Sequence, residues 1–457
     1  MKVIIKSVYI FIYISINNIQ RKIMKNYHIF IFIIFISIVS CKVTPKIALD
    51  ESGTFYKMLG GALDEKAHDV AETADGGFMI AGSTKILVID EASGSEIEKE
   101  VTYVTKTDKF GNVIWKKQYP GQAAKAVLQA PDGNWFIGLD SLVVVSSTVS
   151  HTDYALMKID NNGNPLWVRK YNGVGTRSEV IKKMQMVESE IYIVGNAVAK
   201  LIDETELNAV FIIATNLDGV ERTRNEYGAL TIPTANTPAD KRPTSANSAI
   251  IDPVASLKYL VSIGSTVKQG DDRINSQLIV FSREGIVPID AGGEFGGGGD
   301  DVGESIQPTR DNGYVICGTT NSSGNGGKDM FAIKLTFPRD LQDGKPQAIN
   351  PTRIAWSKTF GGGGDDEGKS IYPTSDGGYL LLGNVATTTA GTDIHLIKLD
   401  GLGNQVWEKF FGGTRNDQAK FVKELSNGDI LILGTISFEN NDMITLIRAN
   451  KNGELVK

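Results

Sequence analysis

The chain has 457 residues, 49 of them glycine, and a formal net charge of -6. That length exceeds one ordinary core but suits a ring of repeats, and the acidity makes a nucleic-acid backbone a poor partner. Its two cysteines, Cys41 and Cys317, have no CxxC or Cys/His spacing around them, so neither a disulfide framework nor a zinc site is expected.

Two apolar stretches precede Cys41. The second, MKNYHIFIFIIFISIVSC from Met24, has a lysine near its start, an apolar core, and Ile38-Val39-Ser40 before the cysteine. This is the order of a secretory signal. It resembles a bacterial lipoprotein signal, which implies that Cys41 becomes the lipidated first residue. Met24 then reads as the true start and the residues before it as an extension. The apolar run Ile29–Val39 is shorter than the ~20 residues that span a bilayer. Residues 1–40 hold five basic and no acidic side chains, so the remainder is more acidic, at a net of about -11. Residues 41–53 read as the lipidated cysteine and a polar tether, and residues 54–457 as one repeat domain.

Each repeat has four apolar runs separated by turn signals. In the sixth copy these are SIYPTS, YLLLGN (from Tyr379), DIHLIKLD (from Asp393) and QVWEKFFGG (from Gln405). Short runs bounded by Asp-Gly and Gly-Asn pairs read as strands joined by hairpin turns. A glycine in the second run marks the copies, at Gly82, Gly138, Gly195, Gly264, Gly318, Gly383 and Gly434. The seventh copy stops where its fourth run should begin. The repeat domain opens with TFYKMLGG (Thr54–Gly61), which matches a fourth run, Phe55 taking the place of Trp407. The sequence therefore predicts an all-β, seven-bladed β-propeller of four-stranded blades, its last blade completed by the N-terminal strand.

Trp115, Trp167, Trp356 and Trp407 follow the third turn at one equivalent point and are read as packing between blades. Copies three and four lack the ring and carry Thr223 and Ile289 there. Acidic pairs recur in the loops after the fourth strand, at Asp64-Glu65, Asp300-Asp301 and Asp365-Asp366, with Asp417 in the last. They are candidates for a ligand or cation loop. GGGGDD matches the start of calcium-binding nonapeptide repeats. Calcium needs six to eight oxygens, however, and these copies stand far apart, so a glycine turn capped by Asp competes with the Ca2+ reading. Three insertions break the symmetry: Ile86–Glu100, Ala229–Asn247 and Phe337–Arg353. The first reads as a hairpin on the face of the acidic loops, the third as a projection from the opposite face.

The motif GGGGDD..GxSIxxTxDxGY…IKLDxxGNxxWxKxFGG resembles a propeller repeat of secreted and lipid-anchored Bacteroidetes proteins, which implies a fold and not one activity. DNNGNPLWVRKY (Asp160–Tyr171) and its copies are more loosely similar to tryptophan-docked propellers, the quinoprotein dehydrogenases and an outer-membrane assembly lipoprotein of that fold. The chain lacks the adjacent-cysteine disulfide of many quinoproteins and any recognisable cofactor-binding set. Four histidines (His28, His68, His151, His395) stand in no nucleophile motif. The reading is an outer-membrane lipoprotein that binds or scaffolds a protein or glycan, with no catalytic residue and no cofactor assigned. The alternatives are a propeller glycoside hydrolase or lyase acting on polysaccharide through acids at the ring mouth, and a calcium-stabilised structural protein.

Overall fold

A computed structural model describes residues 53–455, apart from 62, 91–93, 145–149, 172–176, 201–205, 229–243, 254–258, 268–272, 337–353, 388–390 and 439–440. The signal, Cys41 and nearly all of the tether lie outside the described residues. So do the third insertion and most of the second.

The described chain contains seven four-stranded antiparallel sheets and no helix. They form the blades of a β-propeller, as the repeat predicts. Blades one to six run through Glu65–Tyr119, Ala123–Tyr171, Ser178–Gly228, Thr244–Phe295, Asp301–Phe360 and Glu367–Phe411. In each, the strands follow sequence order from the inner edge outward. Blade seven takes its inner three strands from Gln418–Ala449 and its outer strand from Phe55–Leu59. Phe55 pairs with Arg448 and Leu59 with Ile444, so both ends of the repeat domain lie in one sheet. The unpaired edge that the seventh copy would otherwise carry is covered.

The second and third strands of each blade are apolar without alternation, because sheets packed face to face bury both sides. In blade one, Phe78 through Ala81 are all fully buried. The core is accordingly a series of layers between neighbouring sheets. One layer joins Met79, Ala81 and Val104 of blade one to Val127, Trp135 and Ile137 of blade two. Another joins Leu431, Leu433 and Leu446 of blade seven to Val70, Phe78 and Ile80 of blade one, which closes the ring with the same chemistry.

The outer strand of one blade grips the third turn of the next. A Cβ on Gly163 would meet the Trp115 ring at 2.9 Å, and Gly219, Gly403 and Gly453 stand in the same relation to Trp167, Trp356 and Trp407. Phe55 covers Gly111 in this way, in the position of the ring it replaces. Gly163 also has a φ of 76°, so the turn needs glycine for its backbone and for the ring above it. The indole of Trp115 donates to the Asn161 carbonyl at 3.0 Å, and that of Trp356 to Gly401 at 3.2 Å. Blade three, without the tryptophan, reaches the next turn through Asn225, whose amide donates to the Ile286 carbonyl at 2.8 Å.

Candidate functional site

The inner strands are the place where the blades differ. Every one of the seven carries a bulge at the same point, and the extra residue of each bulge is, in blade order, His68, Lys125, Lys182, Asn247, Glu304, Lys369 and Lys420. A bulge leaves one residue out of the ladder and re-aims its side chain. In an inner strand, that direction is the free edge facing the ring axis.

Six of these residues line an axial cavity of about 680 Å³, which is bounded also by Asp365, Thr392, Asn416, Gln307 and Phe421. Lys125 lies close enough for its charge to act on His68, Lys182 and Lys420.

The bulge also explains the marker glycines. It pushes a carbonyl of the inner strand toward the second strand, and the residue opposite must be glycine. A Cβ on Gly383 would lie 2.2 Å from the Glu367 oxygen, and one on Gly82 2.3 Å from that of Lys66. Six of the seven marker glycines therefore report a residue aimed at the axis, whereas a Cβ on Gly138 of blade two would meet the Met184 sulfur at 3.0 Å and Ile181 instead.

Charge in the cavity is unevenly matched. Lys125 has Asp140 at 3.6 Å, Lys183 has Asp69 at 3.2 Å, and Lys369 has Glu367 at 3.0 Å and Glu304 at 3.6 Å. Burial pushes Lys369 down, but Glu304 and Glu367 more than offset this and hold it above the ordinary lysine range. Lys182 and Lys420 make no ion pair or hydrogen bond among the described residues. Enclosure in the lumen lowers both despite the attraction of Glu304, and Lys420 falls to about 8, with Lys182, Lys125 and Lys369 disfavouring its charge further, although both residues are solvent-exposed and lumen water screens the effect. His68 is held well below its usual value, first by burial and then by Lys125, Lys420, Lys66 and Lys182. It is therefore neutral, and its buried Nε2 has no partner.

The acidic loops do other work. The second acid of each pair is buried and accepts backbone N–H groups of its own blade. Asp366 accepts from Gly362 at 2.5 Å and Ala386 at 2.9 Å, and Asp417 from Gly413 at 2.7 Å and Ser437 at 2.9 Å. Asp301 accepts from Gly297 at 2.8 Å and from the Ser322 hydroxyl at 2.7 Å, and Glu65 from the Thr84 hydroxyl at 3.4 Å. The first acid clips onto the preceding blade. Asp300 accepts from the N–H of Ile274 at 2.9 Å, Asp365 from Lys328 at 3.1 Å and Asp64 from Asp442 at 3.0 Å. Of the sequence-derived candidates, only Asp365 lines the axial cavity. Among the described residues, no group of three or more His, Cys, Asp or Glu side chains is placed to hold a metal ion.

The insertion at 86–100 is a hairpin: Phe78–Ile89 and Glu96–Thr107 pair from Phe78↔Thr107 to Ile89↔Glu96. Lys85 at its base bridges Asp64 and Glu98, both at 2.8 Å, which puts it beside the acidic loop. The remaining histidines are structural in their contacts. His395 pairs with Glu408 at 2.9 Å and stacks on Phe410, and His151 lies 3.3 Å from Asp153.

Sequence reasoning found the repeat and missed the lumen residues. The available signal was positional: each lies 13 or 14 residues before its marker glycine, except Asn247, which lies 17 before.

No protein-family model and no curated protein matches the chain. Among solved structures, a glucose dehydrogenase overlaps 68% of this chain and 96% of its own, at 9% identity and a TM-score of 0.35. A sialidase of Trypanosoma rangeli overlaps 80% of this chain and 58% of its own, at 11% identity and a TM-score of 0.39. A GH43 β-1,3-galactosidase overlaps 64% and 92%, at 10% identity and a TM-score of 0.36. Overlaps this shallow carry no activity across.

Proposed function

We propose that the chain is a lipid-anchored propeller of the bacterial outer membrane that binds its ligand in the axial cavity. One observation carries this reading. Seven bulge residues converge on the axis from seven blades, and their types differ although the framework around them repeats. Repetition serves construction, whereas a specific ligand needs an asymmetric lining. The cavity is of ligand-pocket size, and Asn247, Ser248 and Gln307 supply hydrogen-bonding groups to its wall. These features suit a glycan or small acid better than a broad protein face. The anchor rests on the lipoprotein-like signal that ends at Cys41, and the Bacteroidetes-like repeat is consistent with it.

Binding is favoured over hydrolysis for a physical reason. A glycosidase needs one carboxyl held protonated beside a second carboxylate. Glu367 is partly buried, which pushes it up, but Lys369 overcomes this and draws it below the ordinary range. That is the wrong direction for a general acid.

Two measurements test the proposal. Mass spectrometry of the mature protein is expected to find a lipid-modified Cys41 at its N-terminus, and any other start removes the anchor. Capture from native envelope is expected to fail for Ser248→Trp, which places an indole in the cavity, and to survive deletion of residues 86–100. Equal capture by Ser248→Trp would remove the axial cavity as the site.

A further inference from the structure

Four lysines and one glutamate belong to the ring of bulge residues, and two of those lysines, Lys182 and Lys420, have no counter-charge within ion-pair distance. Four lysines of the lining (Lys182, Lys183, Lys369, Lys420) are equalled in number by Asp69, Glu304, Asp365 and Glu367, so the attraction for an anion is local to Lys182 and Lys420, where two unpaired like charges oppose the compact state. Nothing in the packing requires them, since both ammonium groups reach toward the lumen and away from the layers between blades. His68 adds a buried ring nitrogen without a partner. In the tautomer with its proton on Nε2, it donates toward the same space.

We infer that the axial cavity binds a small multivalent oxyanion, its carboxylate, sulfate or phosphate oxygens held by Lys182 and Lys420 with His68 donating beside them. This rests on the axial-cavity reading above and assigns its ligand class. Lys125 and Lys369, each already matched, set the field without being free to pair fully with a ligand. Glu304 is the ring's only acid and gives the lumen its polarity, repelling an anion from one side. At about 680 Å³ the cavity admits more than a bare inorganic ion, and an acid carrying hydroxyls would find Asn247, Ser248 and Gln307. The anion could be a free acid or the acidic end of a glycan, and the two share this chemistry.

Isothermal titration at constant ionic strength separates the outcomes, because general salt screening is then fixed. The probes are acetate, citrate, oligogalacturonate and, as a neutral control, maltotriose. Wild-type protein is expected to bind citrate or oligogalacturonate and to ignore acetate and maltotriose. Tighter binding of oligogalacturonate assigns the anion to a glycan, and tighter binding of citrate assigns it to a free acid. Lys182→Gln and Lys420→Gln are each expected to weaken binding on the order of tenfold. Glu304→Gln is expected to tighten it several-fold, so the test does not depend on loss alone. A merely structural lysine would lower the melting temperature when replaced. Here Lys182→Gln is expected to raise that of the ligand-free protein and to abolish the increment that citrate gives. Citrate and oligogalacturonate binding no better than acetate, or affinity unchanged in all three variants, overturns the assignment. Envelope capture that is still blocked by Ser248→Trp would then leave the cavity as a site for a ligand of another class.

Discussion

At the scale of single residues, glycine and the lumen side chains are two ends of one device. The bulge that turns Lys369 toward the axis also drives the Glu367 carbonyl against Gly383. Gly383→Ala would place a methyl 2.2 Å from that oxygen and 2.4 Å from the Met330 sulfur. We expect a loss of roughly 1–3 kcal/mol, as for overpacking elsewhere, read as a lower urea midpoint with an unchanged slope. An unaltered midpoint would mean that the bulge relaxes freely. The glycines were legible in the sequence because they are identical in every copy. The residues they serve were hidden because they differ, and a repeat is found by what recurs. A strand pattern read by alternation also has no place for an unpaired residue, so His68 stood out only as a histidine without a nucleophile motif, although it lines the axial cavity.

At the scale of strands and turns, the tryptophans and the first acids, Asp64, Asp300 and Asp365, are joints between blades, while the second acids brace their own blade. Asp366 and Asp417 satisfy N–H groups that loop backbone would otherwise bury unpaired. A chelator is therefore expected to leave the melting temperature unchanged, and a fall on adding EDTA would favour the calcium reading instead. Trp356 packs on Gly403 while part of its ring stays open to solvent. Trp356→Ala is expected to cost about 2 kcal/mol, below the ~3–5 kcal/mol of a fully buried aromatic. Gly403→Ala, at a φ of 78°, should loosen the same joint from the other side. Equal stability of both variants to wild type would show that the blades are held by their core layers alone. Much of this scale could be read from sequence, since the D-x-x-G-N turn and the tryptophan recur together. Their partnership across the blade boundary could not, because spacing along a chain does not say which copy a side chain touches.

Over the whole molecule, the lumen charges couple stability to pH with an unusual sign. Lys420 titrates at about 8 in the folded protein, against 10.5 for an ordinary lysine. Between those values the unfolded chain holds a proton that the folded chain has lost. The penalty, reduced because Lys420 is exposed to lumen water, is complete below about 8, and stability recovers as pH rises through that window. Lys182, lowered in the same direction, adds to it. Lys125, Lys369 and Glu304 act on both of them from the surrounding blades. Urea midpoints are expected to rise from neutral pH to about pH 9.5 relative to those of Lys420→Gln, while citrate affinity falls over the same interval. Parallel curves for the two proteins would exclude Lys420 as the titrating group.

The closure of blade seven has one more consequence. Elsewhere a turn such as Asp400–Asn404 leads directly into an outer strand. The turn at Asn450–Glu454 has the same hydrogen bonds, yet the outer strand beside it is Phe55–Leu59, from the other end of the repeat domain. Topologically the repeat domain is a circle opened at a single hairpin, and among the described residues that hairpin has four equivalents with the same hydrogen bonds, at Asp108, Asp160, Asn216 and Asp400. Circular permutants opened at the Asp160 or Asp400 turn, with residues 455 and 54 joined, should therefore fold to the same ring. A covalently closed circle should outlast both by limiting the freedom of the unfolded chain.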